Sequence, residues 1–239
     1  MRIIRMILLP VLFFSVFVSV RAQTPKPVYD GRKDRPAAKI APADEKLLQT
    51  TALPKARIFW KNAENCEEDF SVTDAARGSF TSPGSDQNAF LYNFCETGHN
   101  FSNTGIVIVE NERIVAHYVY EGGGELSVST VPDVDGDGLN ELLIGAGGTN
   151  QGVTWGTITI VELSPKGVKT FGNTQTYEDN CGADEKGCSA VAYQISATTG
   201  ARPVFYHQKY TQKGKIWRSA GKQTVLKMDA DQIKYNKLK

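Results

Sequence analysis

Histidine and cysteine are scarce in this chain, with three and four copies in 239 residues. The histidines, His99, His117 and His207, stand apart from one another, so no His-Glu-x-x-His helix is present to hold a catalytic zinc. No Gly-x-Ser-x-Gly elbow occurs, which removes the usual signature of an α/β-hydrolase nucleophile. Cys-x-x-Cys is also missing, and with it the dithiol redox motif. Past residue 20 there is no long apolar run, so the mature chain carries no expected transmembrane segment. Basic and aromatic residues do not interleave along any groove-like stretch, and nucleic acid is not an expected partner. Sustained 3.6-residue periodicity is absent, which argues against a helical bundle.

The N-terminus has its own character. Arg2 and Arg5 precede an apolar run from Met6 to Val20, and Val20-Arg21-Ala22 closes it with small residues. That layout predicts a secretory signal peptide over 1–22, cut after Ala22, and therefore a secreted or periplasmic protein. Export favours disulfides among Cys66, Cys95, Cys181 and Cys188. Four cysteines allow three pairings. The expected set is Cys181–Cys188, closing a short polar loop, with Cys66–Cys95 left by elimination. The formal charge of +1 counts three arginines of the signal, so the mature chain is close to neutral. From Arg202 to Lys239, ten Lys/Arg face only Asp229 and Asp231, and this excess reads as a solvated hairpin and tail.

The most specific stretch is Asp133-Val134-Asp135-Gly136-Asp137-Gly138-Leu139-Asn140-Glu141, which runs into Leu142-Leu143-Ile144. Three carboxylates at alternate positions and a fourth at the ninth form a set of hard oxygen donors suited to Ca2+. An EF-hand would need a bidentate Glu at position twelve, where Ile144 stands, so that loop type is excluded. The candidate ligands are the side chains of Asp133, Asp135, Asp137 and Glu141 and the carbonyl of Leu139. Gly136 and Gly138 supply the positive backbone angles that such a tight wrap requires. A metal-free turn rich in Asp and Gly is the competing reading. It leaves four acids to repel one another.

Asp133 to Ala146, DVDGDGLNELLIGA, resembles the calcium loop and following strand of FG-GAP and VCBS-type repeats, as in the β-propeller head of integrin α-subunits. The resemblance implies a structural Ca2+ in a loop joining two strands of one blade. Glu141 departs from the family's final Asp, and Gly145-Ala146-Gly147 echoes its Gly-Ala-Pro element only in part.

Around the loop the texture is that of short strands. Phe90 to Phe94, Ile106 to Glu110, Ile114 to Tyr120, Glu125 to Val131, Thr157 to Leu163, Val168 to Phe171, Ala190 to Ser196, Val204 to Tyr210, Lys215 to Arg218 and Thr224 to Met228 all read as β. Ile58-Phe59-Trp60 is taken as the first strand. The expected fold is all-β, an antiparallel meander of propeller-like blades over 58–239 with closure uncertain, or alternatively a β-sandwich. Residues 23–57, with five prolines, are expected to form a flexible segment containing one short helix from Ala43 to Gln49. Leu142 to Gly152 suggests a dinucleotide turn, but Asn150 stands where its third glycine belongs and a β-rich run follows. Trp60, Trp155 and Trp217 read as structural anchors before they read as a sugar platform.

The function expected is a non-enzymatic, calcium-binding module for an unidentified protein or glycan ligand. The alternative is a secreted hydrolase of a cell-surface polymer, with carboxylates drawn from Glu67, Glu68, Asp69 or Asp179.

Overall fold

The computed structural model describes residues 23–33, 35–98, 101–164, 167–183, 187–231 and 233–239, without the side chains of residues 125 and 126. The expected signal peptide, His99 and the Asn100 of an Asn-Phe-Ser glycosylation acceptor lie outside them. Among the described residues no helix is long and apolar enough to cross a membrane.

Among the described residues fourteen strands, β1 (Lys26–Asp30) to β14 (Asn236–Lys237), form two antiparallel sheets. The smaller is a consecutive meander of β2 (Ser71–Gly78), β3 (Gln87–Gly98), β4 (Phe101–Glu110) and β5 (Arg113–Gly122), extended by β14. A second meander holds β6 (Glu125–Val131), β7 (Glu141–Asn150), β8 (Val153–Ser164) and β9 (Gly167–Asp179). It continues through β10 (Ala190–Ala197), β11 (Phe205–Lys213) and β12 (Ile216–Ser219), while β1 pairs with β10 and β13 (Thr224–Val225) with β11. The expected all-β antiparallel architecture is therefore present. The four consecutive strands of the smaller sheet form a blade-like unit, the larger sheet runs on past four, and the order of the described strands does not close on itself.

The apolar alternation explains how the sheets stack. On β4, Ile106 and Ile108 pack with Phe80, Tyr118, Val128, Leu142 and Val161 between the two sheets. Val107 and Val109 point the other way, against Leu48, Ala52, Ala56 and Trp60. A strand covered on both faces reads as an unbroken apolar run, which is what Ile-Val-Ile-Val is. A third cluster, built on Val131, Val134, Leu143, Ile158, Ile160 and Ile195, fills the opposite face of the larger sheet.

Two expectations fail near the N-terminus. Ile58-Phe59-Trp60 opens no strand; it ends helix α2 (Leu53–Trp60), which follows α1 (Pro42–Leu47) through a π-type turn at Leu48–Ala52. Leu48, Ala52, Leu53, Ala56 and Trp60 recur at three- to four-residue spacing and bury one face, leaving Ile58 exposed. Nor is 23–57 a loose segment throughout. It supplies β1, hydrogen-bonded to β10, and the expected helix, which runs past Gln49 to Trp60. Prolines at the first turn of each helix are compatible with it, because those N–H groups have no partner inside a helix anyway.

Both expected disulfides are present, Cys66–Cys95 and Cys181–Cys188. The glycine-rich run after Ile144 is strand: Gly145, Gly147 and Gly148 lie within β7 and pair with β8. A Cβ at Gly145 would stand 2.5 Å from the hydroxyl of Ser127, its partner on β6, so only glycine leaves room for that side chain.

Candidate metal centre

The 133–141 loop joins β6 to β7, and both ends are fixed by pairing. Val131 lies opposite Glu141, and Thr130 opposite Leu142. Between them the chain wraps on itself. The Asp133 carboxylate accepts from the N–H of Gly136 at 2.6 Å and of Gly138 at 2.8 Å, while Asp137 accepts from Leu139 at 2.9 Å. Gly136 and Gly138 have φ of 85° and 90°, the left-handed angles expected of them.

The wrap is also sewn to the opposing sheet. Asn140 donates its N–H to the Ser79 carbonyl at 2.7 Å and its side-chain oxygen accepts from the Ser79 N–H at 2.8 Å. Below the loop, the Val134 carbonyl accepts from Gly200 at 2.8 Å. A conformational change in the loop would therefore be felt at two other places in the fold.

Asp133, Asp135 and Asp137 bring one oxygen each to within 4.8 Å of one another, as the spacing implied. Asp135 also belongs to a second trio of the same tightness, with Glu141 and Glu162. Leu139 is buried, and its N–H bond to Asp137 holds the backbone turn from which a carbonyl ligand would come. Glu162 was not among the acids the sequence singled out. It lies 21 residues beyond Glu141 on β8, and no local motif marks it. The signal was in the register: Leu142 pairs with Val161 and Leu143 with Ile160, so the next step of the ladder sets Glu141 against Glu162. One strand further, Glu162 pairs with Lys169 on β9.

The electrostatics follow from burial. Glu141 is fully buried, with the Val134 N–H shared between its two oxygens at 3.1 and 3.2 Å. Burial pushes its carboxyl up to about 8, and the neighbouring Asp135 and Asp133 charges add to the rise. Glu162 is raised too, by burial first, with Asp137 and Asp135 adding to it against the pull of Lys169. For Asp135, burial acts upward but the Lys169 ammonium outweighs it and holds the carboxyl below its ordinary range. Lys169 donates to Asp135 and, at 2.9 Å, to Glu162. Of the five carboxyl groups gathered here, the Lys169 ammonium reaches two. The donors are all hard oxygens, and a single-charged partner leaves most of the charge unbalanced, so the residues fit a hard divalent cation.

Elsewhere the chemistry is thinner. A cleft of about 730 Å3 is bordered by Trp60, Trp155, Phe101 and one carboxylate, Glu121. Trp60 is buried under the helices, as an anchor would be. Glu68 is engaged by Arg57, and Asp179 accepts from the Cys181 N–H and the Tyr177 hydroxyl. His117, in β5, is buried against the Tyr92 hydroxyl at 2.6 Å, and His207 stacks on Tyr193. Both are sheet residues, as their strand-like surroundings implied.

Residues 126–156, from β6 through the loop into β8, match the FG-GAP repeat family. No curated protein and no solved structure matches the chain.

Proposed function

We infer that the FG-GAP repeat at 126–156 is a calcium-binding one, in which Asp133, Asp135, Asp137, the Leu139 carbonyl and Glu141 hold a structural Ca2+. The observation that carries this is the convergence of carboxylate oxygens within 4.8 Å inside a loop anchored at both ends. The ion offsets the repulsion among the acids and fixes the β6–β7 connection, and through Asn140 and Ser79 it stiffens the junction of the two sheets. No bond is made or broken at such a centre. The chain is read as an exported β-repeat module that presents a rigid surface to a protein or glycan partner, and the two disulfides agree with export.

Thermal melting tests the reading. EDTA lowers the melting temperature, Ca2+ restores it in a concentration-dependent way, and Asp135→Asn removes the response. Melting curves that superimpose with and without calcium would refute the site.

A further inference from the structure

The matched repeat ends at residue 156, yet the acidic centre does not. Glu141 and Glu162 stand one step beyond the Leu142–Val161 pair of β7 and β8, and their carboxylate oxygens lie within 4.8 Å of each other. Like charges at opposite positions of an antiparallel pair destabilise it. Both side chains are shielded from water, with Glu141 at 0% and Glu162 at 7% exposure, so solvent does little to relieve them. Two buried acids in that relation must either take up a proton or have a cation between or beside them.

Among the described residues one such cation stands against these acids, and it is covalently attached. Lys169 is the cross-strand partner of Glu162, and its ammonium bridges Glu162 to Asp135. It reaches the acids from solvent: its side chain is 52% exposed, whereas Asp135 and Glu162 side chains are at 7% and 9%. A long side chain that is half in water can leave without breaking the strand that carries it. It also has another partner, since the Phe171 ring centre is 4.6 Å from the same nitrogen.

We propose that Lys169 is a tethered counter-cation of this centre, which Ca2+ displaces on binding, and that Glu162 then joins Asp135 and Glu141 as a ligand from outside the repeat loop. The inference rests on the calcium reading above and deepens it. The ammonium keeps the empty centre folded by holding two of its acids together. Its cost falls on affinity, because an incoming ion must break two charge-assisted contacts before it gains its own. The site is thereby set to fill only where calcium is plentiful, as it is outside cells.

The test is calcium titration calorimetry on the full mature chain, together with its Lys169→Met and Glu162→Gln variants. Removing the competing charge should tighten calcium binding about tenfold, the scale of losing a partly screened ion pair on each of two acids. Lys169→Met should also lower the melting temperature in EDTA while leaving that of the calcium form nearly unchanged. Glu162→Gln should weaken binding about tenfold through loss of a charged ligand. Unchanged or weaker binding by Lys169→Met, or unchanged binding by Glu162→Gln, overturns the proposal even though calcium binds. If the unmodified chain and Lys169→Met both fail to bind, the calcium reading itself is lost. Should Lys169→Met not fold, the carbon-13 signal of the Lys169 ε-methylene in the unmodified chain decides. It must shift on saturation with calcium, and a stationary signal sinks the displacement.

Discussion

Two acidic sites in this fold are built in opposite ways. Asp74, on β2, is fully buried and completely provided for: Arg35 pairs with it, and the N–H groups of Ala38 and Val128 donate to its two oxygens at 2.9 and 2.8 Å. One carboxylate receives one guanidinium and two backbone donors, drawn from the N-terminal segment and from the facing sheet. The centre around Asp135 has five carboxyl groups and a single lysine. The first site needs nothing from outside the chain. The second gathers more acid than its own lysine can balance, and that contrast is what makes it a candidate metal centre.

Asp74 should accordingly show the largest effect, and one indifferent to calcium. Asp74→Ala orphans two buried backbone donors and releases Arg35, which costs about 3–5 kcal/mol by the usual penalty for breaking a buried pair. For a domain of this size that is on the order of 10 °C in melting temperature. The same loss should appear in EDTA and in calcium. A loss that depends on calcium would mean that the two sites are one network and would dissolve the contrast.

A third buried ionisable group extends the comparison to a site that wants no charge. His117 lies under the helices, where burial, and secondarily the Lys55 charge, push its imidazole down to about 4 from 6.5. The folded state disfavours the protonated ring while the unfolded chain accepts it at the ordinary value, so protons favour unfolding. Its contribution is intact above about pH 6.5 and is lost as pH falls toward 4, by about 3 kcal/mol at 1.36 kcal/mol per unit. Urea midpoints measured from pH 7 to pH 4 should fall more steeply in the unmodified chain than in His117→Gln. Parallel slopes would show that the ring is not kept neutral by the fold.

The calcium response itself comes next in size. At a hundredfold excess over Kd, binding adds about 2.7 kcal/mol, or roughly 5–10 °C here. Asp74→Ala should keep that increment in full, whereas Asp135→Asn should lose it. Measuring all four combinations separates a site that supplies its own counter-charge from one that does not.

What the sequence disclosed of these sites tracks how local each one is. The Asp-rich loop was legible because its candidate ligands lie within nine residues and its two glycines take the left-handed angles that such a wrap requires. Glu162 and Lys169 were not, since a strand register brings them in and no spacing rule spans two hairpins. Asp74 was equally silent, its partners coming from Arg35, Ala38 and Val128, far apart in the chain. The β-strands from Phe90 onward were readable from branched and aromatic runs. The stretch ending in Ile58-Phe59-Trp60 misled because three bulky residues in a row look like a strand, while the buried spacing from Leu48 to Trp60 is helical. Prolines in 23–57 suggested a loose linker, yet Pro27 lies in β1, whose pairing with β10 is interrupted just beyond it, and Pro54 takes a first-turn helical position.

The smallest expected effect divides the loop against itself. Gly136 and Gly138 share nearly the same left-handed backbone, so an added Cβ strains both by about 1 kcal/mol. Their surroundings differ. Nothing lies within 4 Å of a Cβ at Gly136, while one at Gly138 would come within 3.1 Å of the Pro83 ring, on the loop that also presents Ser79 to Asn140. Gly136→Ala should therefore show only the strain, a shift of a few degrees, and retain the calcium increment. Gly138→Ala should lose more stability and weaken calcium binding, because relieving the contact moves the wall against which the loop is wrapped. Equal losses in the two variants, read by melting with and without calcium, would mean that the loop is held by its own turns alone and that the opposing sheet takes no part in shaping the centre.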